Sequence, residues 1–335
     1  MRALAGRIIA VSNDGALGAS DPDGTHLTAL SRWRAFGPGE NPSVIASPDS
    51  HYLATAAGTV MAVDPREVAV VDHPLSGPLG SNSAIVDFTD GDRGVVVMTS
   101  DGGPAAAAQV WVVDLAHHHV TGLGSANEVA GDPSALGAFV TPVTALMPTE
   151  GPSPEPNTQV ELRDTGRPRI VLATAAELND DVGQPPGELL NLTVFPDRQG
   201  DKVAVLLNPI NGGRTNSAMV VLGRSGNLLD VVDAAVGPIE YTTPSWSPDD
   251  RSIAYTSMTE KGPAVIALQA RAGSRPRIAG AVPSEAGPCI WSPDGHWIAC
   301  SSQQGSMFRW LIVRASNMAT YLMTGPGQAL AWLPA

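Results

Sequence analysis

The stretches SWSPDDRSIAY (Ser245 to Tyr255) and IWSPDGHWIAC (Ile290 to Cys300) write one phrase twice: an aromatic residue, a Ser-Pro-Asp turn, then a short apolar run. The phrase recurs in weaker forms as IASPDSHYLAT from Ile45, VDFTDGDRGVVVMTS from Val86, AGDPSALGAFV from Ala130 and VFPDRQGDKVAVLL from Val194. Its turn residues Asp49, Asp90, Pro133, Asp197, Asp249 and Asp294 are separated by 41, 43, 64, 52 and 45 positions. A repeat of this length constrains a chain more than any composition does. Each copy is a supersecondary unit that buries its apolar face only against its neighbours. The turn itself has a local cause: Pro pre-sets φ, Asp bonds its own backbone two residues on, and Gly accepts positive φ.

Most copies are followed by a second hairpin, as in TVMAVDPREVAVVD, QVWVVDLAHHHVTGL, QVELRDTGRPRIVL and AMVVLGRSGNLLDVV. Helical periodicity is nearly absent, and short β-branched runs are bounded by Gly, Pro, Asp and Asn. Each unit is therefore about four antiparallel strands, the content of a propeller blade. A seventh unit is split. ALAWLPA at the C-terminus supplies a first strand, with Trp332 placed 41 residues after Trp291, and GRIIAVS near the N-terminus supplies a second. The expectation is an all-β, seven-bladed β-propeller closed by pairing the C-terminal strand with the N-terminal blade, which removes an unpaired sheet edge. The unit after Pro133 is weakly written, so six or eight blades also fit. Residues 1–335 are read as one domain, with Trp246 and Trp291 as core between blades.

WSPDD…IAYTS and WSPDG…IACSS resemble the repeat of TolB-type propellers, a family that includes periplasmic TolB, the propeller of actinobacterial LpqB lipoproteins and the gating domain of prolyl oligopeptidases. The close match covers Pro244 to Ser302, and Phe88 or Phe195 replaces Trp elsewhere. The resemblance implies the fold. It also implies an extracytoplasmic sensor or scaffold of a membrane-associated bacterial protein. The Ala-, Gly-, Val- and Pro-rich, Lys-poor composition points to an actinobacterial source.

The formal net charge of −13 opposes binding to a phosphate backbone, which is held chiefly by Lys and Arg, so nucleic acid is excluded as a partner. A protein or a small polar or cationic ligand is expected instead. No apolar run approaches the roughly 18 residues of a membrane span, and MRALAGRIIAVSNDG reads as a first strand rather than a signal peptide. Cys289 and Cys300 fall on one hairpin, and pairing Trp291 with Ile298 sets them opposite each other. A disulfide is favoured over two buried thiols, though a one-residue change of register separates the sulfurs. A bridge supports an oxidising compartment.

Chemistry is sparse. There is no G-x-S-x-G, H-E-x-x-H or Walker A pattern, and no cofactor or metal is implied. His117 to His119 occupy a strand-to-strand turn, and Asp14, Asp21 and Asp23 read as paired β-turns rather than a calcium loop, which needs a bidentate Glu. Among the innermost strands only Asp87 and Glu128 are acidic, too few for an acid–base constellation. The expected function is a non-catalytic binding propeller; the alternative is a hydrolase or lyase acting on a glycan or lactone at the channel mouth. The 64-residue step holds surplus chain at about 144–158 and 174–190, carrying Glu150, Glu155, Glu177, Asp180, Asp181 and Glu188 without a Lys or Arg. These six carboxylates are the candidate binding residues, on loops expected to share one face.

Overall fold

Short β-branched runs bounded by turn residues become strands here. The computed structural model describes residues 4–34, 44–56, 58–63, 68–72, 79, 83–99, 108–126, 128–142, 159–183, 190–209, 218–232, 244–259, 262–269, 277–281, 286–304 and 307–334. The strands are β1 (Arg7–Val11), β2 (Ala16–Ser20) and β3 (Thr28–Arg34), then β4 (Val44–Ala46), β5 (Tyr52–Thr55), β6 (Val60–Val63) and β7 (Val68–Asp72). Next come β8 (Ser83–Thr89), β9 (Gly94–Thr99), β10 (Ala108–Asp114) and β11 (His119–Ala126). They are followed by β12 (Glu128–Gly131), β13 (Gly137–Thr141), β14 (Gln159–Asp164), β15 (Ile170–Thr174) and a helix, α1 (Ala175–Asp181). Then follow β16 (Leu190–Pro196), β17 (Lys202–Pro209), β18 (Ala218–Gly223) and β19 (Leu228–Val232). The C-terminal third holds β20 (Ser245–Trp246), β21 (Ser252–Thr259), β22 (Gly262–Gln269) and β23 (Arg277–Ala281). The last strands are β24 (Ala286–Trp291), β25 (Trp297–Gln304), β26 (Met307–Arg314), β27 (Thr320–Gly325) and β28 (Gln328–Leu333).

These strands form seven four-stranded antiparallel sheets, six of them built from consecutive strands. The seventh has the order β28-β1-β2-β3, so the C-terminal strand completes the N-terminal sheet, with Arg7 opposite Leu333 and Ile8 opposite Trp332. The weakly written unit after Pro133 is a full sheet, β12 to β15. The chain forms two compact units. One comprises Met1–Thr55, Val60–Asp72 and Val236–Ala335, and the other comprises Ala56–Thr59 and His73–Ala235.

Within the first unit, Ile8 and Ala10 of β1 pack with Trp310 and Ile312 of β26 and Trp332 of β28. Trp246 and Trp291 are both buried, and the Trp291 indole donates to the Ser245 carbonyl of the neighbouring sheet at 2.9 Å. Cys289 lies opposite Cys300, and their sulfurs form a disulfide with Cα atoms 4.1 Å apart. Within the second unit, Phe139, Leu162, Leu192, Val205 and Val220 join two adjacent sheets in one cluster. Strands covered on both faces read as continuous apolar runs. Thus Val203 to Leu207 of β17 are all buried, whereas β11 and β27 alternate between exposed and covered positions.

The recurring turn has a member that Pro, Asp and Gly do not explain. Ser47, Ser247 and Ser292 each donate a hydroxyl to the Asp two residues on at 2.6 Å. The same hydroxyl oxygen accepts the N–H of Tyr52, Ser252 or Trp297 at 2.9 to 3.0 Å. One hydroxyl therefore ties the turn to the strand that follows it. The position after Asp takes positive φ whether it is Ser50 (65°), Asp250 (52°) or Gly295 (68°).

Candidate functional site

The departure from the all-strand repeat lies at the end of β15. The segment from Thr174 was expected to be a loop; instead, residues 175–181 form α1. The reason is a capping box, T-A-A-E. Thr174 Oγ1 accepts the Glu177 N–H at 3.3 Å, and the Glu177 carboxylate accepts the Thr174 N–H and hydroxyl, each at 2.8 Å. Those bonds hold the Glu177 carboxyl below its ordinary value. The helix ends where the Val182 and Gly183 N–H groups bond back to the Leu178 and Asp180 carbonyls. A helix of seven residues is too short to persist on propensity alone. It is held by Ala175 and Leu178, both fully buried, with Leu178 in the cluster of Phe139 and Val205.

That docking turns Glu177, Asp180 and Asp181 outward, all exposed. Asp180 and Asp181 sit in the last turn, with no basic residue there. Carboxylates at a helix C-terminus face the negative end of its dipole, a destabilising placement of about 0.3–1 kcal/mol each. The Asp181 carboxyl is pushed up by partial burial and then by the charges of Asp180 and Glu177. Local stability therefore does not explain why these two residues are acidic. Of the other candidates, Glu150, Glu155 and Glu188 lie outside the described residues.

His117 and His118 are in an exposed turn and His119 opens β11; the His117 ring meets Asp114 at 2.9 Å. Asp14 and Asp23 serve two turns, closed by Gly15 N–H to Ser12 O and Gly24 N–H to Asp21 O. Among the described residues, no three His, Cys, Asp or Glu side chains are grouped to hold a metal ion. Asp87 accepts the N–H of Gly131 at 2.9 Å and of Phe88 at 2.8 Å, tying β8 to β12. Gly131 permits that approach, since a Cβ there would lie 1.6 Å from the Phe88 carbonyl oxygen. Burial pushes the Asp87 carboxyl up to about 6, against those two bonds. Glu128 belongs to β12. Sequence reasoning missed Arg163, Arg167 and Arg169, because RDTGRPR reads as an ordinary hairpin turn until β11 is set beside it.

Seven four-stranded antiparallel sheets define the class: a β-propeller. Among solved structures, the chain is similar to the β-propeller domain of Cps50 (Swd1) from Myceliophteria thermophila. The TM-score is 0.55 at 13% identity, covering 85% of this chain and 87% of that one. It is also similar to TolB from Acinetobacter baumannii, with a TM-score of 0.46 at 13% identity over 98% of this chain and 82% of that one. A third likeness, to the dihydro-heme d1 dehydrogenase NirN, has a TM-score of 0.48 at 13% identity over 99% and 75% of the respective chains. Identities this low speak to the fold alone. No protein-family model matches the chain, and no curated protein matches it.

Proposed function

We propose that this chain is a non-catalytic binding propeller, one ring of seven blades closed by β28, that recognises a protein or a small polar or cationic ligand through the outward face of α1. The observation that carries this reading is the charge of that face. Asp180 and Asp181 stand where they weaken the helix, yet the helix is capped by Thr174 and anchored by Leu178. Projections from a rigid scaffold are where such folds bind. The disulfide between Cys289 and Cys300 supports an extracytoplasmic setting, as an oxidising compartment preserves such bonds.

The test titrates the intact chain and its Glu177→Gln/Asp180→Asn/Asp181→Asn variant with a hexalysine peptide by calorimetry. Gln at 177 preserves the capping box, so the variant keeps the helix. The expected result is at least a fivefold loss of affinity with the melting temperature held or slightly raised. Binding to the parent should also weaken as salt rises and exposed charges are screened. Equal affinity for both proteins refutes the assignment of α1.

A further inference from the structure

Three of the chain's 20 Lys and Arg residues fall within the seven positions RDTGRPR, in a chain of net charge −13. They meet β11 across a groove of about 480 Å³ between two neighbouring sheets of the second unit. On one wall runs β11, the outermost strand of its sheet, and on the other the turn between β14 and β15. β11 carries a bulge: Val110 pairs with Gly124 and Trp111 with Gly122, leaving Leu123 as the extra residue. Bulges of this kind end pairing and re-aim a strand.

Arg163 closes the strand edge. Its Nη1 donates to the Leu123 carbonyl at 2.8 Å and the Ser125 carbonyl at 3.0 Å, while Nε donates to Glu161 at 2.7 Å. Carbonyls along an open edge are a template for another strand, and this guanidinium occupies them. Gly124 has φ +88°, and a Cβ there would lie 3.3 Å from Arg163 Nη1. The groove is thus protected against strand addition but left open to solvent.

Its charges are layered. The carboxylates lie beneath, with side-chain exposure of 0% for Glu161 and 6% for Asp164. The guanidiniums lie above, with 61% for Arg169 and 68% for Arg167. Each is held from below by one long contact, Arg169 to Glu161 at 3.3 Å and Arg167 to Asp164 at 3.4 Å. A guanidinium offers five N–H donors in a fixed fork, so a single contact leaves a bidentate edge for another anion. An incoming ligand meets the exposed cations first; Asp164 also lines the groove but is nearly buried, and Glu161 is fully enclosed.

We propose that this groove binds a small anionic ligand, bearing a carboxylate or a phosphate, through Arg167 and Arg169. A volume of about 480 Å³ suits a compact polar molecule. The proposal concerns different residues and the opposite charge from α1, so it stands or falls separately.

Trp111 provides the readout. Its ring lies beneath Gly122, whose missing Cβ would come within 3.0 Å of it, and its indole N–H reaches Thr99 Oγ1 at 3.2 Å. The experiment follows the Trp111 indole signal of the ¹⁵N-labelled full chain, assigned with Trp111→Phe. Sodium phosphate or sodium succinate is added against sodium chloride at matched ionic strength. The expected result is a saturable shift with phosphate or succinate but not with chloride, and the anion that saturates identifies the source. Arg167→Gln/Arg169→Gln should weaken that binding at least tenfold with an unchanged melting temperature. Arg167→Lys, which keeps the charge but loses the fork, should give a smaller loss. A Trp111 signal that neither anion moves beyond chloride, or undiminished binding in the double Gln variant, overturns the proposal.

Discussion

At the scale of single residues, Asp87 separates two effects that act on the same carboxyl. Enclosure raises its proton affinity, while the N–H groups of Phe88 and Gly131 lower it, and enclosure prevails at about 6. Because the folded value lies above the ordinary 3.8, the associated stability is fully present below 3.8 and is lost as pH rises through about 6. Carbon-detected NMR should therefore find the Asp87 carboxyl titrating with a midpoint near 6. The destabilisation caused by Asp87→Asn should be largest below pH 4 and should shrink towards pH 7; a midpoint near 4 would contradict the enclosure. Residue-scale legibility was uneven. Pro, Asp and Gly of the repeated turn explain themselves from φ preferences. The role of Ser47, Ser247 and Ser292 depends on a bond to a residue five positions on, across the hairpin.

Among the elements, α1 shows how a local signal is hidden by a global one. T-A-A-E is a capping box written plainly at Thr174 to Glu177, yet its surroundings lack helical periodicity and one turn of apolar residues decides it. Leu178 is fully buried against two sheets, so Leu178→Ala should lower stability by about 2–4 kcal/mol in chemical denaturation. It should also abolish hexalysine binding, because the acidic face loses its support. A cost below 1 kcal/mol would mean that the helix is not anchored there. The strands were legible because β-branched runs between turn residues have few other outcomes. The arginine groove was not, because Arg163 meets Leu123 and Ser125 across 40 and 38 positions of chain. No local pattern announces that pairing.

On the scale of the whole molecule, the repeat made the number of sheets readable, and the split phrase at the two ends made the pairing of β28 with β1 readable too. The energetics of that pairing are concentrated in few residues. Ala329, Ala331, Trp332 and Leu333 are all nearly fully buried, and the Ala329 N–H donates to Ser301 of the adjacent sheet at 2.7 Å. Burying Trp332 and Leu333 contributes about 1.5–3 kcal/mol each, a large part of the roughly 5–15 kcal/mol that holds a typical domain. Deleting residues 329–335 should therefore remove the cooperative thermal transition; a truncated chain that melts like its parent would show that β28 is dispensable. The pairing also sets a timetable. The bond from the Trp332 indole to the Ala5 carbonyl spans 327 positions. At about 5–20 residues per second of synthesis, β1 waits roughly 15–65 s for its partner to leave the ribosome. Throughout that interval the edge of β1 that later pairs with β28 lacks its partner strand, and an unpaired edge is a template for another chain.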